Sequence, residues 1–319
     1  MVARTDQFVY TYAKEALVYP QFPDFQPIAL EDRDEIRDRL RTYQPENSEL
    51  TFTNLFIWRA HYGFLWSVLD DCLTILSTAG CSELCVLPPV GPAPRAEVTR
   101  TIIEWLKKEK GVTIPCIDRA DRKLVAELAD DPRFEIESLR DQFDYVYRSE
   151  DLIQLAGGAY RAKRNHINYF MRTYGYAYEP LDESHIKACL ALSENWCDPR
   201  RCEEDLNLLG EWDAIREALT NFTALGMAGG VILVDGKVEA FALGERLNEQ
   251  TAVVHIEKAN TEIRGLYAAI NQQFCEHQWQ GVPFVNREQD LGEAGLREAK
   301  LSYNPDHLVE KYRICLRQA

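Results

Sequence analysis

The spacing of apolar residues along this chain switches repeatedly between the period of a helix and that of a strand. Phe52, Leu55 and Phe56 recur at helical spacing, and the strand-like runs that follow flank Asp70-Asp71, the turn of a predicted hairpin. The elements predicted in the first half are a β-then-α opening in residues 24–41, a helix in 48–62, strands in 64–69, 72–77, 83–87 and 112–117, helices in 95–110 and 124–129, and extended chain in 134–146. This half therefore mixes both kinds of element.

The second half repeats the theme after a long linker helix around residues 152–174. Asp235-Gly236 separates two strand-like runs and indicates a hairpin, because such a turn needs positive φ. The elements predicted here are strands in 176–181, 231–234, 238–243, 251–257, 283–287 and 309–316, and helices in 185–196, 211–225, 265–279 and 294–303. One order of elements thus occurs twice, which predicts an α/β (α+β) fold of two similar halves.

A tandem repeat of the acetyltransferase (GNAT) fold would give this order. Each domain would then be a mixed, mostly antiparallel sheet flanked by helices. The predicted division is an N-terminal GNAT-like domain at 1–150, a linker helix at 151–175, and a C-terminal GNAT-like domain at 176–319 that carries the active cleft.

Composition narrows the class of protein. Apolar residues make up 46% and charged residues 27% of the 319-residue chain, as in globular proteins. No run reaches the roughly 18 apolar residues that span a bilayer, and the N-terminus lacks an apolar signal core, which predicts a cytoplasmic protein without stable membrane insertion. Nine cysteines without a secretion signal are predicted to be reduced core thiols, and the pairs Cys81/Cys85 and Cys197/Cys202 lack companion ligands for a metal.

The net charge of −15 disfavours nonspecific attraction to nucleic acid or anionic lipid, so a polyanionic partner must meet a local basic patch. The best such patch lies on the linker helix, where Lys163 and Arg164 interrupt an apolar stripe. A cation on a buried face is unfavourable unless it is paired, so these two are expected to meet a carboxylate of the protein or a bound anion. The alternative is an interdomain helix held by salt bridges.

The predicted strand TAVVHIEKA contains the titratable residues His255, Glu257 and Lys258. Strict alternation places His255 and Glu257 on the same face. A carboxylate at the end of a central strand can take a proton from an attacking amine or hydroxyl when its surroundings raise its pKa. Structural pairing of Glu257 with Lys258, Arg287 or Lys300 explains the same pattern equally well.

The densest polar cluster, NREQDLG, runs from a strand end at Asn286 into a turn. The strand and the following helix together can gather Arg287, Glu288, Lys300 and Tyr303 around one cleft, with Tyr303 as proton donor to a leaving group. The alternative is a solvated, salt-bridged surface. No P-loop, dinucleotide fingerprint or recognisable nucleophile motif accompanies the cluster.

Three segments resemble a known family: SELTFTNLFIWR at 48–59, KRNHINYF at 163–170, and FVNREQDLGEAGLREAKLSYNP at 284–305. They look like the stand-alone cytosolic bacterial relatives of the phosphatidylglycerol lysyltransferase C-terminal domain, and the likeness runs over roughly the whole chain. The resemblance implies two tandem GNAT-like domains, similar to those of the Fem aminoacyltransferases. The membrane-anchored members of the family move an amino acid from aminoacyl-tRNA to a lipid hydroxyl.

The resemblance implies a cleft in the second domain. Together with the linker-helix patch, the candidate residues are Glu257, Glu288 and Tyr303 for catalysis, and Lys163, Arg164, Asn168, Asn271, Asn286, Arg287, Asp290 and Lys300 for binding of substrate or donor. Arginine and lysine would bind the phosphate or carbonyl end of a donor. Direct attack on an activated ester or thioester would need no covalent intermediate, no metal and no tightly bound cofactor.

The sequence leaves the donor open. Acetyl-CoA enzymes of the GNAT superfamily bind pyrophosphate through a basic or amide residue followed by Gly-x-Gly or Gly-x-Ala, whereas this chain has Glu262 and bulky Tyr267 at the matching ends of the loop. This departure favours aminoacyl-tRNA, bound through the basic patch, with a small-molecule or lipid-like amine or hydroxyl as acceptor. The alternatives are an acyl-CoA N-acyltransferase and a catalytically silent module that binds an amino acid or anionic metabolite.

Overall fold

A computed structural model describes residues 19–80, 83–194 and 206–318. Its α-helices are α1 Arg33–Tyr43, α2 Phe52–Ile57, α3 Arg59–Tyr62, α4 Ala96–Lys108, α5 Arg122–Leu128, α6 Ser149–Gln154, α7 Arg161–Thr173, α8 Glu183–Glu194, α9 Leu206–Thr220, α10 Phe222–Leu225, α11 Leu266–Gln278 and α12 Ala294–Leu301. Its strands are β1 Gln26–Pro27, β2 Phe64–Leu69, β3 Cys72–Ser77, β4 Cys85–Val86, β5 Cys116–Ala120, β6 Phe134–Ser138, β7 Asp144–Arg148, β8 Tyr176–Pro180, β9 Ala228–Val234, β10 Lys237–Arg246, β11 Thr251–Ala259, β12 Phe284–Asn286, β13 His307–Val309 and β14 Tyr312–Leu316.

The strands form two sheets of seven, in the orders β1-β2-β3-β4-β5-β14-β6 and β13-β7-β12-β11-β10-β9-β8. Most neighbours are antiparallel, and the parallel pairs are β4 with β5 and β11 with β12. Both predicted hairpin turns are present, with positive φ at Asp70 and Asp71 in one and at Asp235 and Gly236 in the other. The predicted mixed, mostly antiparallel sheets flanked by helices are therefore confirmed.

Each half of the chain contributes one strand to the sheet formed mainly by the other half. The C-terminal strand β14 pairs with β5 and β6 in the first sheet, while β7 lies between β13 and β12 in the second. The division at residues 150 and 175 stays a prediction, and sheet membership crosses it at these two strands. Strand-like sequence alone does not indicate which sheet a strand joins.

The second sheet buries both of its faces. Phe241 and Leu243 pack against Leu55 of the first domain in a core that continues between the domains. On the opposite face, Ala242 and Val254 belong to a second core with the helices α6, α7 and α11. The linker helix α7 is thereby held against α11, the helix that follows the central strand β11.

The cysteines correct one expectation. Cys116 and Cys315 lie opposite each other on β5 and β14 and form a disulfide, and Cys85 is also disulfide-bonded, so the prediction of reduced thiols is wrong for them. The bonded pair is separated by 199 residues, and so large a spacing carries no local signal. Cys72, Cys189 and Cys275 are free and buried, as predicted. The pair Cys197/Cys202, and Cys81 of the pair Cys81/Cys85, lie outside the described residues.

None of the helices in the described ranges is long and apolar enough to cross a membrane. Within the same ranges, no group of three or more His, Cys, Asp or Glu side chains is placed to hold a metal ion.

Candidate functional site

One residue breaks the alternation of the central strand β11. Leu243 and Gly244 are adjacent on β10, yet they pair with residues two apart on β11, so His255 is the extra residue of a β-bulge. The expectation that His255 and Glu257 share a face is therefore wrong. His255 turns toward the first domain, where it meets Thr51, while Glu257 points to α11.

Glu257 lies just beyond the point where pairing of the parallel strands β11 and β12 ends. The last of their three residue pairs is Val253 with Asn286, after which the chain continues into Arg287. Arg287 Nη2 donates to Glu257 Oε1 at 3.0 Å, and Asn271 Nδ2 of α11 donates to Oε2 at 3.0 Å. The structural pairing with Arg287 that the sequence left open is thus present, and we call Glu257, Arg287 and Asn271 the Glu257 centre.

The Glu257 centre also holds buried polar atoms that none of the described residues satisfies. These are Arg287 Nη1, a donor, and Asn271 Oδ1, an acceptor on a side chain that is 1% exposed. A buried polar atom without a partner costs roughly 1–3 kcal/mol, and other buried atoms of the described residues, such as Trp66 Nε1 and Thr99 Oγ1, share this condition. At the Glu257 centre the two atoms belong to the side chains that hold Glu257, and a further group bound there would satisfy them.

Two cations lie near the ring of Tyr303. Lys163 Nζ of α7 is 3.9 Å from the ring centroid, and the guanidinium carbon of Arg287 is 4.9 Å from it. Burial raises the pKa of Tyr303 to about 12, so its hydroxyl keeps its proton at neutral pH. Burial and the nearby charge of Arg287 lower the pKa of Lys163.

Lys300 reaches the same region from α12, and its ammonium is bound by backbone. Its Nζ donates to the carbonyl oxygen of Arg287 and, at 3.3 Å, to that of Glu288. Burial, followed by the charge of Arg287, lowers the pKa of Lys300 to about 8. Lys300 therefore holds the turn that carries Arg287, and it can release its proton only slightly above neutral pH.

Glu288 faces the first domain and belongs to a second cluster. His255 Nδ1 lies 2.8 Å from Glu288 Oε1, His255 Nε2 lies 3.1 Å from Glu245 Oε1, and Asn54 Nδ2 of α2 donates to Glu288 at 3.2 Å. Burial lowers the pKa of His255, but the hydrogen bonds to Glu245 and Glu288 outweigh it and raise the pKa to about 9. His255 is thus a buried imidazolium between two carboxylates.

Two predicted binding residues are fully engaged with the protein itself. Asn286 Nδ2 donates to Asp144 Oδ2 at 3.0 Å, and its Oδ1 accepts from the Glu288 amide. Asp290 is 0% exposed and accepts hydrogen bonds from Arg297 and from the Tyr145 hydroxyl. Both side chains shape the turn after β12 and do not face the Glu257 centre.

The two cations of the linker-helix patch, Lys163 and Arg164, have different partners. Arg164 Nη1 donates to the carbonyl oxygens of Leu155 and, at 2.7 Å, Gly157, which places it at the end of α6. Asn168 is exposed on α7. The predicted residues that the structure brings together are Glu257, Asn271, Arg287, Lys163, Lys300 and Tyr303. Glu245 and Asn54 were not predicted, because their partners lie in distant segments and leave no local sequence signal.

The loop that opens α11 is covered by α7. Gly265 has φ +91°, and a Cβ built there would lie 2.2 Å from the carbonyl oxygen of His166. Arg264 stacks over the Tyr169 ring at 4.9 Å, and the Tyr267 phenol is hydrogen-bonded to the backbone of Ala259. This start of a helix is therefore packed closely against a neighbouring helix.

The two sheets and their flanking helices define a tandem GNAT-like protein. FemX has a TM-score of 0.56 at 11% identity, with 91% of this chain and 96% of that chain covered. A tandem GNAT protein from the clavulanic acid biosynthesis pathway has a TM-score of 0.51 at 11% identity, with 91% and 97% covered. At these identities the likeness is one of fold.

The chain belongs to the family described as phosphatidylglycerol lysyltransferase, C-terminal, whose model matches residues 40–315. The expected family is thus confirmed. A conserved protein of unknown function from Bacteroides thetaiotaomicron VPI-5482 is 40% identical, with a TM-score of 0.85 over 92% of this chain and 99% of that one. The structure of L-PGS from Bacillus licheniformis is 15% identical, with a TM-score of 0.62 and 92% of each chain covered.

A curated relative adds a more distant match. An uncharacterized protein of Mycoplasmoides gallisepticum is 22% identical over 178 residues, or 54% of this chain. The match spans 55% of the relative, so this chain covers about half of that protein's length.

Proposed function

We propose that this protein is an aminoacyltransferase that moves an amino acid from aminoacyl-tRNA to an amine or hydroxyl acceptor at the Glu257 centre. The observation that supports this most is the pairing of a carboxylate with an arginine whose Nη1 is buried and unused, beside an amide whose Oδ1 is also unused. Membership of the phosphatidylglycerol lysyltransferase C-terminal family supplies the reaction class.

The reaction needs one proton transfer at each end. Glu257 takes the proton of the acceptor N–H or O–H as the nitrogen or oxygen attacks the ester carbonyl carbon. Arg287 Nη1 donates to the carbonyl oxygen as negative charge develops on it. The C–O bond to the tRNA ribose then breaks, Tyr303 protonates the leaving oxygen, and Glu257 returns a proton to Tyr303 through solvent. Lys300 and Glu288 position the turn that carries Arg287.

The crowded start of α11 favours the tRNA donor over acyl-CoA. A pyrophosphate at that helix N-terminus needs close backbone approach, and Gly265 already packs against His166 of α7. The acyl-CoA reaction is the second candidate, supported by the likeness of the fold to a tandem GNAT protein. In either case we propose a cytoplasmic reaction on a small-molecule or lipid-like acceptor.

Discharge of aminoacyl-tRNA tests the proposal. The protein is incubated with aminoacyl-tRNAs labelled in the amino acid and with a metabolite extract as acceptor source, and the label is followed from tRNA into new products. We expect Glu257→Gln to lower the transfer rate by about 100-fold or more, because a positioned base contributes roughly that much. Donor affinity should stay unchanged, and Glu276→Gln, an exposed position on α11, is the matched control.

Two outcomes would replace the proposal. Release of free thiol from acyl-CoA without discharge of any aminoacyl-tRNA would establish the acyl-CoA reaction. Thermal stabilisation by a ligand without turnover of either donor would establish a binding module.

A further inference from the structure

Lys163 is a half-buried cation without a carboxylate partner in the described part of the chain. Its ammonium lies over the Tyr303 ring, and burial together with the nearby charge of Arg287 lowers its pKa against the opposing effect of Glu257. Arg287 itself has one carboxylate, Glu257, and the ammonium of Lys300 meets backbone carbonyls. Lys163 and Arg287 are thus two cations near one carboxylate, Glu257, in a protein with a net charge of −15, which suits a bound anionic group.

The Glu257 centre also has atoms that can bind a cation or an N–H donor. A carboxylate can only accept hydrogen bonds, so Asn271 must turn its amide nitrogen to Glu257, and this leaves Asn271 Oδ1 as an unused acceptor. Arg287 Nη1 is the unused donor, and a guanidinium nitrogen of this kind carries two N–H bonds. One unused acceptor and one unused donor therefore belong to the two side chains that bind Glu257.

We propose that the acceptor is a zwitterionic amine, an amine joined by a short chain to a carboxylate or phosphate. Its amine binds Glu257 and Asn271 Oδ1, and its anionic group binds Lys163 and one N–H of Arg287 Nη1. The second N–H stays available to the carbonyl oxygen of the donor. This inference rests on the proposed function for its chemistry, though the binding it predicts needs no donor.

The reaction balances with this acceptor. The ammonium first releases one proton to solvent and attacks as a neutral amine. Glu257 takes a further proton from the nitrogen during the attack, and an amide bond forms while the ester C–O bond to the ribose breaks. The ribose oxygen leaves with a proton as a hydroxyl. One proton passes to solvent, and no oxidant or reductant is needed.

Calorimetric titration of the full chain without donor tests this acceptor class. The probes are β-alanine and O-phosphoethanolamine, their amine-only counterpart ethanolamine, their anion-only counterparts propionate and inorganic phosphate, and vesicles that contain phosphatidylethanolamine. At least one zwitterion should bind ten-fold or more tightly than its one-charge counterparts. Lys163→Met should weaken that binding roughly 10- to 100-fold, the effect of losing a charge-assisted hydrogen bond.

The controls separate binding from folding. Arg161→Met removes a charge from an exposed position on the same helix and should leave the affinity unchanged, while Lys163→Arg should retain most of it. Unfolding temperatures without ligand check that each variant folds. Binding of O-phosphoethanolamine supports a free acceptor, and binding of the vesicles alone supports a lipid headgroup of the same chemistry.

Three results would overturn the inference: equal affinity for a zwitterion and its anion-only counterpart, no binding of any probe, or unchanged affinity in Lys163→Met. None of them decides whether aminoacyl-tRNA is discharged. Failure of this inference and failure of the proposed transfer are therefore distinguishable.

Discussion

His255 shows how the placement of one residue decides its chemistry. On a regular strand it would lie beside Glu257 as a second titratable group. The bulge instead turns it toward Glu245 and Glu288, which occupy both of its ring nitrogens. An imidazole that donates from both nitrogens is fully protonated and has no lone pair with which to accept a proton. We therefore assign His255 a positioning role through Glu288.

The protonation of His255 predicts a pH dependence of stability. Its pKa is raised from 6.5 to about 9, so its contribution is fully present below pH 6.5 and is lost as the pH rises through 9. The contribution is on the order of 3 kcal/mol, since each unit of pKa corresponds to about 1.4 kcal/mol. The free energy of unfolding by urea should therefore fall more steeply over this pH range in the wild type than in His255→Gln.

The titration of Lys300 is the reason for comparing wild type with His255→Gln. Its pKa is lowered to about 8, so its buried charge destabilises the fold at low pH and this cost is relieved as the pH rises from 8 toward 10.5. That trend opposes the one from His255, but it is common to wild type and His255→Gln. His277→Gln, at an exposed position, is the control. Parallel pH profiles for wild type and His255→Gln would refute the imidazolium assignment.

At the scale of the element, sequence patterns predict those structural features that local chemistry alone determines. The pairs Asp70-Asp71 and Asp235-Gly236 predicted their hairpins, because positive φ restricts the residues that a tight turn accepts. The bulge at His255 had no such signal, since TAVVHIEKA alternates equally well with or without an extra residue. Its position is determined by packing on both faces of β11, which only the assembled sheet and helices provide.

The start of α11 gives an element-scale prediction. Gly265→Ala must strain a backbone at φ +91° and also push the carbonyl of His166 away from α11. Gly281→Ala is the matched control, because its φ is +85° and a Cβ there has no neighbour within 4 Å. The control should cost about 1–2 kcal/mol through the left-handed backbone alone. Gly265→Ala should cost more than twice as much in urea unfolding.

The difference between these two variants measures the contact between α7 and α11. Equal destabilisation would show that α7 yields easily at His166. The start of α11 would then be accessible to a pyrophosphate, and the argument against an acyl-CoA donor would lose its structural basis.

At the scale of the whole molecule, a buried charge cluster of Lys311, Asp144 and Glu49 connects β7 and β14, the two strands that join the sheet of the other half of the chain. Lys311, next to β14 of the first sheet, has its Nζ 2.6 Å from Asp144 Oδ1 at the start of β7 in the second sheet and 2.6 Å from Glu49 Oε2. Asn286 donates to the same Asp144, which connects the cluster to the turn that carries Arg287. The strand pattern predicted Glu257, the polar cluster predicted Arg287, and the family resemblance implied Asn271. The support from the charge cluster had no sequence signal, because its members are scattered along the chain.

Replacing Lys311 should therefore weaken the molecule as a whole. Lys311→Met leaves Asp144 and Glu49 buried near each other without their shared cation, and breaking a buried pair in this way costs about 3–5 kcal/mol. Urea unfolding measures the loss. Lys108→Met, which removes only an exposed pair with Glu104, should be indistinguishable from wild type.

The double variant Lys311→Met with Asp144→Asn distinguishes charge from packing. Removing the unpaired carboxylate should recover part of the lost stability, because the amide avoids the cost of an isolated buried charge. If the double variant is less stable than Lys311→Met by the full cost of Asp144→Asn alone, the two side chains act independently. The cluster would then fill space between the sheets without coupling them electrostatically. The positions of β7 in the second sheet and β14 in the first would depend on apolar packing.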